Sequence, residues 1–355
     1  MRAGASEFTG QGNYTILNPR TPCFWSMARL ITLFLLLLSL FLLLLPQIPY
    51  LLLWPVVRLA HVHLPWRPFL WAGIVLVAGW WVLYAYGHFH GRFHCQVRRV
   101  EYAHPHVPPA FNGFRIVQVS DLHLQSWQQH HDRLQKAVQQ INALNPHLIV
   151  FTGDLVSYGP QEAEPFLPIL RQLHATDGII SVMGNHDYSP YARHLTSRQR
   201  QQQVERLIAL QRDSLHWTLL LNENSILHRG VDSIAMIGVE NQSCGTHTIV
   251  QRGNLHKAMQ GTENLFSILL SHDPSHWRAE VLYHTNIPLT LSGHTHAMQF
   301  SLFGFTPAKW AYPECAGRYN EGSQTLYVNR GLGETLLPMR LGARPEITLI
   351  TLRSL

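Results

Sequence analysis

The 355 residues are 46% apolar and carry a formal net charge of +6, enough material for one well-packed domain and a membrane segment besides. The basic excess lies wholly in residues 1–100, which hold eight Arg, no Lys and one acid, Glu7, so residues 101–355 are one unit net negative. This excludes a general electrostatic reason for the larger part to bind nucleic acid, and no nucleic-acid partner is predicted. Four scattered cysteines, Cys23, Cys95, Cys244 and Cys315, form neither a disulfide framework nor a thiolate zinc motif. The 23 histidines are many for a chain of this length and ask for a ligand hypothesis.

In chain order, residues 1–29 read as an N-terminal tail, left partly untranslated if synthesis starts at Met27. Residues 30–57 are expected to form a first transmembrane helix: Leu30–Leu45 is uncharged and mostly Leu, and the apolar character resumes at Ile48–Val57. Pro46, Pro49 and Pro55 are expected to kink or interrupt it. Residues 69–86 form the second span, with Trp80, Trp81, Tyr84 and Tyr86 arranged like an interfacial belt. Arg29 followed by a Leu-rich core also has the form of a signal peptide, but no small-residue cleavage site follows. The expectation is a hairpin in contact with membrane lipids. Flanking arginines number five outside the hairpin (Arg20, Arg29, Arg92, Arg98, Arg99) against two inside it (Arg58, Arg67). That bias places both termini, and the larger domain beyond the hairpin, on the cytoplasmic side, in what is expected to be a bacterial inner membrane. Residues 87–110 read as a linker, rich in His and Pro at 104–109, and residues 111–355 as one folded domain.

Within that domain, short β-branched apolar runs alternate with helical patterns: Phe114–Val119, His147–Phe151, Gly178–Met183, Ser233–Val239, Phe266–Leu270, Ile287–Leu291, Thr325–Val328 and Glu346–Leu352. Leu134, Val138 and Ile141 mark an amphipathic crossover helix between the first two. The fold class is therefore α/β. Five runs end in potential ligands: Asp121 and His123, then Asp154, then Asn185-His186-Asp187, then His272-Asp273, then His294-Thr-His296. Singly, such residues are ordinary turn Asp, Asn and Gly, or hydrogen-bonded histidines. Five in succession, all of metal-ligand type, point instead to one crevice at the carboxyl edge of a sheet.

The order of these blocks resembles the calcineurin-like metallophosphoesterase superfamily over residues 114–352. The runs Leu326-Tyr-Val-Asn-Arg-Gly-Leu-Gly333 and Pro345-Glu-Ile-Thr-Leu-Ile-Thr351 resemble its bacterial membrane-anchored branch. The resemblance implies a four-layer α/β/β/α sandwich, and two divalent ions per subunit. It implies Asp121, His123 and His296 on one ion, Asn185, His272 and His294 on the other, and Asp154 bridging both. It further implies that His186 faces the substrate, where it stabilises charge or protonates the leaving oxygen. A carboxylate, amide and imidazole set without thiolate suits Mn²⁺, Fe²⁺ or Zn²⁺ and does not choose among them. Two such ions clamp a phosphate ester and acidify a water, whose hydroxide attacks phosphorus without a protein nucleophile.

Asp187 has two readings, a carboxylate orienting His186 or a turn residue. Gly153–Gly159 lacks the Arg of protein Ser/Thr phosphatases, and Asp187 stands where they have Glu, which disfavours a protein substrate. Ala297-Met298 replaces two glycines found in many bacterial relatives and alters that loop. The aromatics of 300–319 (Phe303, Phe305, Trp310, Tyr312, Tyr319) read either as a substrate- or bilayer-facing loop or as core. A helical tract around Arg198–Arg212 reads as a lid or, more commonly, a solvated surface helix, and no site is assigned there. The expected function is hydrolysis of phosphomono- or phosphodiesters, lipid-linked or nucleotide-containing. The alternatives are a UDP-sugar-lipid pyrophosphatase of the same superfamily and a catalytically silent metal-binding sensor at the membrane. The latter is weakened because no ligand position is lost. A metal buffer or transporter is weakened because no histidine lies within the apolar spans.

Overall fold

The computed structural model describes residues 22–192, 195–245 and 250–355; residues 1–21 of the expected tail lie outside them. The chain divides into two units, meeting at Trp81 and Val82. The first contains helix α1 (Pro22–Leu44), helix α2 (Gln47–Leu59) and most of α3 (Arg67–Phe89). Pro46 lies at the break between α1 and α2, where its missing N–H costs nothing, and Pro55 stands inside α2. The segments 29–59 and 67–93 are each long and apolar enough to cross a membrane. The Tyr50 and Phe69 rings, 5.3 Å apart, join the two segments of the hairpin.

The second unit holds two six-stranded sheets. The first comprises β1 (Gln96–His104), β2 (Arg115–Val119), β3 (Leu148–Phe151), β4 (Ile179–Ser181), β5 (Thr218–Leu219) and β12 (Glu346–Ser354), in the order β1-β12-β2-β3-β4-β5. Strands β2 to β5 run parallel, with β12 antiparallel to β2. The second comprises β6 (Glu223–Arg229), β7 (Asp232–Gly238), β8 (Phe266–Leu270), β9 (Leu289–Ser292), β10 (Gly317–Glu321) and β11 (Gln324–Val328), in the order β10-β11-β9-β8-β7-β6. Its four central strands are parallel.

Period-two alternation assigns each strand's residues to one of two cores. Ile116, Val150 and Ile180 of the first sheet join Met236, Ile268 and Leu291 of the second in a core between the sheets. Their sequence neighbours Val117 and Ile149 face outward onto helix α4 (His131–Ala143), through Leu134 and Ile141, and onto α6 (Ser197–Ala209), through Val204 and Leu207. The single-turn α5 (Leu167–Leu170) lies between these two helices in the chain. Trp277 and Val281 cover the outer face of the second sheet with Ile237 and Leu269. Two sheets packed face to face with helical cover on both outer faces are the four layers expected from the resemblance.

Strand β1 lies inside the stretch read as a linker. Residues 96–104 pair in parallel with 346–354 along their whole length, and no apolar alternation betrays this edge strand, since only Tyr102 is buried. Beginning a soluble fragment at residue 101 would therefore cut the strand in half. The short strand β5 and the strands β6 and β10, with one or two apolar residues each, also escape the hydrophobic pattern.

Candidate metal centre

The polar residues that follow β2, β3, β4, β8 and β9 converge at the carboxyl ends of both sheets. Five of them turn there with left-handed backbone: Asp121 (φ 51°), His123 (42°), Asp154 (58°), His294 (72°) and His296 (50°). For a residue with a Cβ this conformation costs roughly 1–2 kcal/mol and persists where the surroundings over-determine it. Two glycines are needed for close approach: a Cβ on Gly184 would collide with the Asp154 carboxylate, and one on Gly293 with Ser120 and Asp121.

All eight predicted site residues come together. Asp121, His123 and His296 make one cluster, with His123 Nε2 3.1 Å from His296 Nε2 and His296 Nε2 3.4 Å from Asp121 Oδ1. Asn185, His272 and His294 make another, with His294 Nδ1 2.8 Å from Asn185 Oδ1 and 3.3 Å from His272 Nε2. Asp154 Oδ2 stands between them, 3.6 Å from His123 Nε2 and 3.1 Å from His272 Nε2. Two nitrogens each bound ~2.0–2.1 Å from one ion at the tetrahedral angle stand about 3.3 Å apart. The facing imidazole pairs have this spacing, and facing lone pairs repel unless a proton or a cation lies between them. The donor set thus fits divalent ions.

Supporting hydrogen bonds aim the rings. His272 Nδ1–H donates to Thr152 O (2.7 Å), turning its Nε2 lone pair into the site. His294 Nε2 lies 2.8 Å from the Tyr312 hydroxyl, and the buried Arg340 guanidinium contacts His296 Nδ1 at 3.0 Å. His186 Nδ1–H donates to Ser157 O (2.9 Å), its N–H donates to Asp154 Oδ1 (2.8 Å), and its ring lies against Tyr191, with centroids 4.4 Å apart.

Asp187 does not touch the His186 ring in any of these bonds. Its carboxylate accepts from the backbone N–H groups of Asp154 (2.9 Å), Leu155 (2.9 Å), Val156 (3.2 Å) and Gly184 (2.9 Å). It is the buried knot that holds the Asp154 turn to the Asn185 turn, and the turn reading of this residue, not the orienting one, describes it. Glu162 does the same for the next loop, accepting from the N–H groups of Ser157, Tyr158, Gly159 and Gln125. Tyr191, Glu162 and Arg340 carried no signal in the sequence, because nothing in their local pattern marks a contact made across the fold.

Burial lowers His123 and His296 well below the ordinary imidazole range, which keeps both neutral. Burial also pulls on His272, but the Asp154 and Asp121 carboxylates outweigh it and hold the ring at about 10. A folded value above the unfolded one means that the ion pair's stabilisation is complete below about pH 6.5 and is lost as pH rises through about 10. The metal-free chain should therefore lose thermal stability from pH 7 to 10, and the Mn²⁺-loaded chain much less. Calorimetry with and without chelator, with His272→Gln as the control, measures this; a pH-independent Tm in the chelated wild type would refute it.

The loop after His296 holds two residues with side chains in a backbone conformation that favours glycine. Ala297 (φ 49°, ψ 34°) and Met298 (φ 47°, ψ 30°) both sit in the left-handed region. Gln299 holds them there by bonding the carbonyls of Leu337 and Met339 and the N–H of Thr335. Met298 is half exposed, so Met298→Gly gives up little packing. It should stabilise the protein by about 1 kcal/mol, raising Tm by roughly 2–4 °C; an unchanged or lower Tm would remove strain as the account of this loop.

The calcineurin-like phosphoesterase family matches residues 114–298, and the chain is 34% identical over 253 residues to the metallophosphoesterase YkuE of Bacillus subtilis, covering 70% of this chain and 82% of that protein. The chain belongs to the calcineurin-like phosphoesterase family. As a member it is a metal-dependent phosphoester hydrolase, with a phosphate ester as substrate. It is also 32% identical over 284 residues to the transmembrane protein with metallophosphoesterase domain of Danio rerio, covering 77% of this chain and 60% of that protein. To the UDP-2,3-diacylglucosamine pyrophosphatase LpxG of Chlamydia trachomatis it is 28% identical over 301 residues, covering 72% of this chain and 88% of LpxG.

Proposed function

We propose that this phosphoesterase is anchored by its apolar hairpin and hydrolyses a phosphate ester carried by a membrane lipid, with a UDP-sugar-lipid pyrophosphate as the specific candidate. The observation that carries the catalytic part is the single oxygen, Asp154 Oδ2, within reach of a histidine from each ligand cluster. Asp121, His123 and His296 hold one divalent ion, and Asn185, His272 and His294 the other, with Asp154 shared. Ions bound there acidify water and neutralise charge on the phosphoryl group. The likeness to LpxG supports the substrate class, and the likeness to proteins named transmembrane supports the anchor. The arginine bias around the spans supports a cytoplasmic site. A reporter after Leu355 that is active only outside the cytoplasm would reverse that orientation.

His186 is the residue left to handle the leaving group. Its Nδ1–H is committed to Ser157 O, so a proton carried at Nε2 is the one it can deliver. Tyr191 against its ring limits the ring's rotation. His186→Ala should lower kcat by about 10²–10⁴-fold while the metal content of the protein is unchanged. A variant that has instead lost its metals would move His186 from acid to ligand.

The substrate reading is tested with the full chain in detergent, stripped of metal and refilled with Mn²⁺. Turnover of bis-p-nitrophenyl phosphate, p-nitrophenyl phosphate and UDP-2,3-diacylglucosamine is then compared. Metal-dependent cleavage of the first two with none of the third would leave the phosphoesterase and remove the lipid pyrophosphate.

A further inference from the structure

The metal centre leaves unused a group of large apolar side chains that follows its last ligand. Phe303 is fully exposed, Trp310 is 80% and Leu336 78% exposed, and Met298, Leu302 and Phe305 are each about half exposed. Phe305 and Trp310 stack edge to face, with centroids 5.7 Å apart, so they present one surface. Exposed clusters of this kind mark interaction sites.

What covers it is indicated by where the loop is tied. The strap 298–310 is fastened at its start to the loop 334–341: Ser301 N–H donates to Leu341 O (2.8 Å), Leu341 N–H donates to Gln299 O (2.9 Å), and the Gln299 side chain spans Leu337 and Met339. That second loop is fastened to the end of α3. His88 Nδ1–H donates to Pro338 O (2.7 Å), Arg340 N–H donates to Gly87 O (3.3 Å), and Arg92 pairs with Glu334. Gly91 approaches Arg340 O so closely that any Cβ would clash. The strap is therefore held rigidly at the point where the chain leaves its second apolar helix, which is where a bilayer surface lies if that helix spans one. Lys309 is exposed beside Trp310, and aromatic side chains with a neighbouring cation are the composition that seats in the headgroup layer.

We infer that the strap carrying Leu302, Phe303, Phe305 and Trp310 inserts into the interfacial layer of the lipid bilayer that α3 enters. This rests on the proposal that the hairpin is a membrane anchor. The same segment leads from His296 to Tyr312, whose hydroxyl lies 2.8 Å from His294 Nε2.

The test uses the full chain in vesicles of phosphatidylcholine and phosphatidylglycerol that carry a nitroxide on the upper acyl chain. A bimane dye is placed at Phe303→Cys and, separately, at Trp310→Cys. Val231→Cys, fully exposed in the turn between β6 and β7, is the solvent reference, and wild type labelled in parallel gives the background from native cysteines. The dye at 303 and 310 should lose roughly half its emission or more to the nitroxide, and the dye at 231 none. Co-flotation with the vesicles but no quenching at either position overturns the strap while leaving the anchor. Failure to co-float overturns the anchor and the strap together. A blue-shifted dye that no lipid quenches, in vesicles and in detergent alike, puts a second copy of the chain over the strap and also overturns it.

Discussion

Asp154→Asn should reduce kcat/KM for bis-p-nitrophenyl phosphate by about 10³-fold or more, a loss of about 4 kcal/mol of transition-state stabilisation. The reason is the shared position of this carboxylate. Its Oδ2 faces His123 of one cluster and His272 of the other, so removing its charge weakens both ions at once, where loss of any other ligand weakens one. Asn is nearly isosteric and still offers Oδ1 to the His186 N–H, so the fold should survive. Elemental analysis beside the kinetics decides the cause. Low activity with a fall in bound metal supports the bridging role. Low activity with metal retained would make Asp154 a substrate contact, and retained activity would remove it from the centre.

The second large effect is expected at a residue that touches neither ion in this assignment. Asp187→Ala orphans four backbone N–H groups in a fully buried place. Each unsatisfied donor costs about 1–3 kcal/mol, so the sum, about 4 kcal/mol or more, is a large part of the 5–15 kcal/mol that keeps an ordinary domain folded. The melting temperature should fall by roughly 10 °C or more, with looser metal binding, because the Asp154 and Asn185 turns lose their common tether. If Asp187 instead served His186, the main change would be a shifted limb of the pH–rate profile at nearly unchanged stability. That outcome would reverse the assignment made here.

How far these residues could be found in advance depended on the kind of contact. Strands β2, β3, β7, β8 and β9 are short, mostly apolar runs whose burial follows from composition, and each gives way to a Ser, Thr or Gly. The same reading singled out the polar residues that the fold brings together in the two clusters, because side chains able to bind metal are rare types and they recur at one topological position. Strand β1 was missed because it is an edge strand with one buried side chain, held by hydrogen bonds to β12 rather than by an apolar face. The role of Asp187 stayed open because a carboxylate after Asn-His is compatible with orienting the histidine or bonding the backbone, and only the fold brings residues 154–156 and 184 around it.

The sequence by itself determined the fold class, the apolar hairpin, and which side chains are chemically able to hold metal. Those properties depend on composition and on spacing along the chain, where side-chain period and solvation act locally. Tertiary structure alone decided that the two sheets' carboxyl ends meet so that Asp154 Oδ2 stands between His123 and His272. It also decided that Asp187 and Glu162 are backbone knots, and that Ala297 and Met298 accept a left-handed turn. The loop past His296, too, is tied to the end of α3 through residues 337–341 only in the folded chain. Each of these rests on groups far apart in the chain, and a hydrogen bond or a close approach of that kind leaves no local pattern from which it can be read.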